Sequence, residues 1–327
     1  MRVSRRRLLR LLAGIVACSG GSAVDALAQN YPVKPIRMVV GFTAGGGTDI
    51  TARKVAQKLS EQLGQPVIVE NRSGAGGTIA TERVAISAPD GYTMLLVTAA
   101  DAIQPALRTN LPYDLERDLA PVSLVAIAPF VLVIHPSVPA HNVKELTALA
   151  RSRPGKLSYG SFGVGTSAHL MGELFNLIAK ASVVHVPYKG AADTLIGSAA
   201  GHIDMSFIAV TTAMPFLKIG KLRPLAVTTA KRALLLPSLP TLDESGLRGY
   251  DRCGWYGVLV PTGVSKDLIA RLNTVIGKIV NTEEMKESFN SDGLEPQANT
   301  QEQFAAYIRY EITQNAKLIK LIGLKAE

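Results

Sequence analysis

The sequence has little cysteine: only Cys18 and Cys253 occur in 327 residues. Cys18 lies in an N-terminal segment that we expect to be removed by cleavage after Ala28, which leaves one thiol and excludes an intramolecular disulfide. Stability must then come from a hydrophobic core. The histidines form no H-E-x-x-H motif and share no cysteine spacing, so we expect no metal site, no cofactor and no thiol–histidine nucleophile. They stand at positions 135, 141, 169, 185 and 202.

Blocks of like charge are also absent. The formal net charge is +9, and five arginines and one aspartate of that balance lie in residues 1–28, which leaves +5 for residues 29–327. Because the remaining lysines and arginines are scattered, we expect no nucleic-acid partner. No later stretch approaches the roughly 18 apolar residues of a membrane helix, so any membrane role of the mature chain needs a partner.

The N-terminus has the pattern of an export signal. Five arginines flank or interrupt an apolar run over residues 8–17, and residues 4–10 resemble a twin-arginine signal. Residues 26–28 (Ala-Leu-Ala) offer a cleavage site, and residues 15–18 (Ile-Val-Ala-Cys) offer a competing lipobox that would attach lipid to Cys18. We therefore expect residues 1–28 to be an export signal and the mature chain to be periplasmic, with lipidation of Cys18 as the alternative.

The remaining 29–327 is longer than one compact core usually organises, so two domains are expected. Short β-rich runs alternate with helical patterns from Ile36 onward, which predicts parallel α/β units. A strand near residues 255–260 returns after a second set of such units. We expect one lobe from residues 29–131 plus 254–327, a second from 132–253, and a ligand cleft between them.

A glycine-rich turn after the first strand is the first candidate site. Glycines permit close backbone approach, and the N–H groups and dipole at a helix start favour an anion. Gly47 stands where a Walker A loop needs lysine, and no G-x-G-x-x-G spacing fits, so nucleotide binding is not supported. The candidate ligand-binding residues of this loop are Thr43, Ala44, Gly45, Gly46, Thr48 and Asp49.

A second glycine-rich loop follows the second strand, over residues 71–78, with Ser73, Gly74 and Gly76 as candidates. Loops that leave the carboxyl ends of parallel strands line one edge of a sheet, so both helix starts can face one ligand. The alternative is that the glycines only make tight turns.

The sequence from Tyr159 to Leu170 repeats this design in the second lobe: strand, glycine loop, hydroxyl groups, helix start. It is no G-x-S-x-G nucleophile elbow, because Tyr159 occupies the first glycine position. For His169, packing and direct ligand contact are equally good interpretations. For Tyr188, a hydroxyl in the cleft and a buried ring are equally good. The candidates here are Ser161, Gly163, Thr166, Ser167, His169 and Tyr188.

Taken together, these motifs resemble the solute-binding receptors of tripartite tricarboxylate transporters, the Bug proteins, along the whole mature chain. The resemblance lies in residues 31–36 (Tyr-Pro-Val-Lys-Pro-Ile), 45–53, 69–77, 89–93 (Pro-Asp-Gly-Tyr-Thr), 111–114, 121–125, 154–157, 165–170 and 185–190 (His-Val-Pro-Tyr-Lys-Gly). It implies a type II periplasmic-binding-protein fold, in which two α/β lobes are joined by two crossing strands. It also implies a ligand held by main-chain amides, hydroxyls and waters, to which Thr98 is added by its motif. Asp193 departs from the family, which commonly has proline there.

The resemblance implies a receptor, not an enzyme, that passes a dicarboxylate or aromatic carboxylate to a two-component integral membrane permease, and we expect it to act as a monomer. Two alternatives share parts of this pattern. A periplasmic sensor would use the same cleft to signal to a partner protein, and an enzyme would act on a small bound anion.

Overall fold

The computed structural model describes residues 31–324, so the expected export signal and Cys18 lie outside the described residues. Within 31–324, the strands are β1 (Ile36–Val40), β2 (Val67–Asn71), β3 (Thr93–Thr98), β4 (Leu119–Ala128), β5 (Phe130–Ile134), β6 (Ser158–Ser161), β7 (Val184–Pro187), β8 (Met205–Ala209), β9 (Arg223–Val227), β10 (Gly254–Pro261) and β11 (Glu295–Pro296). The helices are α1 (Gly47–Leu63), α2 (Thr78–Ala85), α3 (Gln104–Leu107), α4 (Val143–Ser152), α5 (Ser167–Ala179), α6 (Ala191–Ala199), α7 (Val210–Lys218), α8 (Lys266–Val280), α9 (Glu283–Ser291) and α10 (Gln301–Leu321).

Helix α1 shows how the sequence forms these elements. Ala52, Val55, Ala56 and Leu59 recur at helical spacing, and all four are buried. Burying a leucine-sized side chain contributes roughly 1.5–3 kcal/mol, so this face holds the helix on the sheet. The helix ends at Gly64, whose left-handed φ of 69° suits a residue without a Cβ.

The strands form two mixed sheets with the same topology. The first runs β2-β1-β3-β10-β4, with β11 added at the far edge, and the second runs β7-β6-β8-β5-β9. In the first, β1 is parallel to β2 and β3, while β10 is antiparallel to its neighbours. In the second, β6 is parallel to β7 and β8, while β5 is antiparallel. In the first sheet β10 and β11 therefore run against the other strands, and in the second sheet β5 does. Strand β10 joins the first sheet only after the chain has formed the second.

The chain passes between the sheets twice, at adjacent places. Pro129 separates β4 from β5, and residues 228–253 lead from β9 to β10. The two passages touch: Gly254 is the register partner of Ala128, and the N–H of Thr228 donates to the carbonyl of Phe130 at 2.9 Å. Two adjacent crossings allow the sheets to move as bodies about one line.

Each sheet is covered by helices on both faces. In the first, Met38 and Val40 pack with α1 and α8, whereas Val39 faces the other side with α2 and α10. This alternation is the period of a strand. The C-terminal helix α10 also reaches the second half of the molecule, because its Leu318 and Ile319 cluster with Leu170 of α5. It therefore packs on the first sheet and on a helix of the second half.

Candidate functional site

A cavity of about 700 Å³ lies where the carboxyl ends of the parallel strands of the two sheets face each other. Its walls come from the segments after β1, β2 and β3 on one side and after β6, β7 and β8 on the other, with the crossing segments behind. Seven of the sixteen candidate residues line it: Thr43, Gly46, Thr48, Gly76, Thr98, Thr166 and Ser167. The other nine are not among its lining residues: Ala44, Gly45, Asp49, Ser73, Gly74, Ser161, Gly163, His169 and Tyr188.

The first glycine loop presents the start of α1 to this cavity. Gly46 is the N-cap, in extended conformation, and no side chain caps the helix. The first N–H groups of a helix have no partner within it, and they stand at the positive end of its dipole. Since Gly46, Gly47 and Thr48 line the cavity, this helix start is available to an anion.

Asp49 holds that loop from behind. It is 2 % exposed, and it accepts hydrogen bonds from the Gly45 N–H, Arg53 Nε and Asn71 Nδ2, each at 2.9 Å. The hydrogen bond from Arg53, with those from the Gly45 backbone and Asn71, lowers the pKa of Asp49 to about 2. Asp49 is thus an ionised support of the loop.

The second glycine loop turns through a short 3₁₀ segment, Ala75–Gly77, before α2. Gly76 has a φ of 68°, and a Cβ there would overlap the amide of Gln104, so the position needs glycine. Behind it, the buried Asp101 accepts from the Thr98 N–H at 2.8 Å and from Thr81 Oγ1 at 2.7 Å. Burial raises the pKa of Asp101. Ser73 and Gly74 lie on the outer part of this loop.

In the second half, Thr166 caps α5, and its Oγ1 also donates to the carbonyl of Gly163 at 2.8 Å. Thr166 and Ser167 line the cavity, as does the start of α6, where Gly190 and Ala191 form an uncapped helix start. Helix α6 was not among the expected anion sites, because Gly190 stands alone after Lys189 and forms no glycine-rich loop. The cavity therefore has helix starts on both sides.

A stacked aromatic group supports this loop. His169 is 5 % exposed, and its Nδ1 accepts from the Gly165 N–H at 3.0 Å, which requires a ring without a proton on that nitrogen. Its ring lies 3.9 Å from that of His185, whose Nε2 is 2.6 Å from Ser161 Oγ. Burial lowers the pKa of both histidines to about 4. Ser161 is fully buried, so this serine–histidine contact is not placed to attack a ligand in the cavity.

Tyr188 packs on α6: a Cβ added to Gly197 would overlap its phenol ring. Asp193, the departure from the family pattern, is exposed and does not line the cavity. Sequence reasoning missed two cations that do line it, Arg108 and Lys189, together with Gln104. Its apolar lining includes Phe42, Leu107, Phe130, Phe162 and Tyr256.

Residues 31–324 contain no group of three or more histidine, cysteine or acidic side chains arranged to hold a metal ion. No helix in this range has both the length and the apolar character required to cross a bilayer.

Comparison with known proteins gives concordant matches. A model of the tripartite tricarboxylate transporter family receptor matches residues 51–324. Protein BugT of Bordetella pertussis is 35% identical over 322 residues, which cover 97% of this chain and 99% of BugT. The structure of R. palustris Rpa4515 with adipate superposes with a TM-score of 0.81 at 34% identity, covering 91% of this chain and 100% of that one.

A second solved structure, MatC from Rhodopseudomonas palustris with bound malate, gives a TM-score of 0.76 at 27% identity, covering 88% of this chain and 100% of MatC. Because these solved structures superpose over 91% and 88% of this chain, the expected type II periplasmic-binding-protein fold is confirmed. The chain belongs to the tripartite tricarboxylate transporter receptor family.

Proposed function

We propose that this protein is an extracytoplasmic solute-binding receptor that captures a small carboxylate and delivers it to a two-component membrane permease. Its lobes would be residues 29–131 plus 254–327 and residues 132–253. The observation that carries the proposal is the convergence of uncapped helix starts from both sheets on one cavity, at Gly46 and Gly190. Such starts bind carboxylates through backbone N–H groups and the helix dipole.

The relatives support the ligand class. Rpa4515 was solved with adipate and MatC with malate, and both are small dicarboxylates. A cavity of about 700 Å³ falls within the range of roughly 300–1,000 Å³ typical of small-molecule sites. The site therefore has room for such acids.

Delivery to a permease requires that the receptor present different surfaces with and without ligand. The adjacent crossings at Pro129 and near Gly254 supply a hinge, and the lobes also touch at Gly165, where an added Cβ would overlap Leu107. A ligand held from both sides would favour this closed arrangement, because it contacts both lobes only there.

The first test is thermal unfolding of the purified, exported protein with adipate, malate, benzoate and glutamate. A ligand at 100 times its Kd adds about 2.7 kcal/mol to the free energy of unfolding, so binding gives a measurable rise in Tm. Mass spectrometry should recover the bound acid unchanged, whereas conversion would revive the enzyme alternative. If no carboxylate shifts the Tm or co-purifies from the native host, the receptor proposal fails.

Delivery needs a cellular test. Uptake of the identified acid should be lost when either this gene or its permease genes are deleted. Retained uptake with loss of a ligand-dependent transcriptional response would instead favour the sensor alternative. The mass of the mature N-terminus would separate cleavage after Ala28 from lipid attachment at Cys18.

A further inference from the structure

The charged groups of the cavity are of one sign. Arg108 contributes a cation from the segment after α3, and Lys189 contributes one from the segment after β7. No aspartate or glutamate is among the residues that line the cavity. The acidic side chains that support its loops, Asp49 and Asp101, are buried and bonded to backbone N–H groups.

Arg108 is held in place without being neutralised. Its Nε donates to Gln104 Oε1 at 3.0 Å, and Gln104 lines the cavity beside it. Within residues 31–324, no carboxylate forms an ion pair with Arg108 or Lys189. A guanidinium with unused N–H groups matches a carboxylate, which it can bind through two parallel hydrogen bonds.

Lys189 has a different setting on the opposite lobe. It directly precedes Gly190, the uncapped start of α6, so an ammonium and a helix N-terminus occur together there. Both features favour the same negatively charged group. The cavity therefore offers one anion-binding position on each lobe.

The rest of the lining carries no charge and combines hydroxyl groups with apolar surface. Phe42, Phe130 and Phe162 contribute aromatic surface from the two lobes. An ammonium group on the ligand would lose its hydration without gaining a carboxylate partner, and an unpaired buried charge is costly.

We propose that Arg108 and Lys189 are the specificity-determining residues of this cavity, each binding one carboxylate of a dianion, and that they select dianions over monocarboxylates and amino acids. This inference rests on the proposed function and specifies the ligand of that same cavity.

A charge series tests it. Adipate, hexanoate and 6-aminohexanoate share one chain and differ at one end, which is anionic, neutral or cationic at about pH 7.5. Calorimetric titration of the exported protein should rank adipate tightest, hexanoate about ten-fold or more weaker, and 6-aminohexanoate weakest. Terephthalate, 4-methylbenzoate and 4-(aminomethyl)benzoate should repeat this order.

Variants connect the ranking to the two residues. Arg108→Gln and Lys189→Gln should each reduce the preference for adipate over hexanoate by about ten-fold. Arg83→Gln removes the same charge from an exposed position outside the cavity and should leave the preference unchanged.

Two results would overturn the inference alone: 6-aminohexanoate or hexanoate binding as tightly as adipate, or both variants keeping the wild-type preference. If none of these acids binds to the folded protein, and no other carboxylate shifts its Tm or co-purifies from the native host, the proposed function fails as well, and the inference fails with it.

Discussion

Asp49→Asn replaces the carboxylate behind the first glycine loop by an amide of the same shape. Oδ2 of Asp49 accepts from the Gly45 N–H and from Arg53 Nε, and an amide nitrogen in that position cannot accept either bond. A hydrogen bond to a charged group is worth roughly 1.5–3 kcal/mol. Because the Arg53 side chain is 54% exposed and can turn to water, we expect a net loss of about 2 kcal/mol in the free energy of unfolding.

Asp49→Asn should also bind its ligand more weakly, because the same contacts hold the first glycine loop. If the binding-competent conformation of the loop is destabilised by about 2 kcal/mol, the fraction of molecules that adopt it falls by up to about thirty-fold. The apparent affinity for the ligand falls by the same factor. Calorimetric titration with adipate measures this. The structure supplies a matched control in Asp118→Asn, because Asp118 accepts from the Asp114 N–H at 2.8 Å and from Arg117 Nε at 2.7 Å, outside the cavity.

Both variants should lose stability, and only Asp49→Asn should lose affinity. Hydrogen bonds hold the pKa of Asp49 at about 2, against 3.8 ordinarily. Its contribution is therefore present above about pH 4 and lost as the pH falls through about 2, so the stability difference between wild type and Asp49→Asn should close over that interval. Wild-type affinity in a destabilised Asp49→Asn variant would refute the reasoning.

Three other predictions concern single residues. His169→Leu removes the acceptor of the Gly165 N–H and should weaken adipate binding about ten-fold by calorimetry, while His169→Asn, which supplies an oxygen acceptor, should recover part. Because burial lowers the pKa of His169 from 6.5 to about 4, the stability contribution of the neutral ring is present above pH 6.5 and lost as the pH falls through 4; acid unfolding of the leucine variant should lack this loss. Gly46→Val should keep the Tm within a few degrees, because Gly46 is extended and an added Cβ meets only the Thr43 carbonyl at 3.5 Å. The same variant should abolish ligand binding, and unchanged affinity would remove this loop from the site. Burial raises the pKa of Cys253 to about 12, so Ellman's reagent should react with it only after unfolding, and rapid labelling of the native protein would contradict this.

Features set by local chemistry could be predicted from the sequence. Asn142 and Thr300 are each followed three residues later by Glu or Gln, a spacing that marks a helix start; both are N-caps, and Thr300 forms the full capping box with Gln303. The three glycine loops lie at the starts of α1, α2 and α5, as expected, because close turns and helix starts are encoded by a few adjacent residues.

Features set by tertiary packing could not be predicted from the sequence. Strand β4 has no clear strand pattern in the sequence because it contains Pro121, whose nitrogen cannot donate a ladder hydrogen bond. The structure accommodates Pro121 beside a register shift, opposite Leu259 of β10. Arg108 reaches the cavity only because the four-residue helix α3 follows β3, and no periodic pattern marks so short a helix. Helix α10 was expected on the first lobe, and its contact with Leu170 depends on how the two sheets are placed.

This contrast between local and tertiary features explains why the glycine motifs predicted the loops but not the buried side chains that hold them. Behind each loop region, a buried side chain accepts one backbone N–H: Asp49 from Gly45, Asp101 from Thr98 and His169 from Gly165. Fixing one N–H fixes the peptide planes around it, and the neighbouring groups at Gly46 and Thr166 then face the cavity. Two of these acceptors are carboxylates and one is a neutral imidazole, so the requirement is for an acceptor in the right place and not for one residue type. Such a requirement leaves no sequence motif. It does explain why His169 serves the site without lining it.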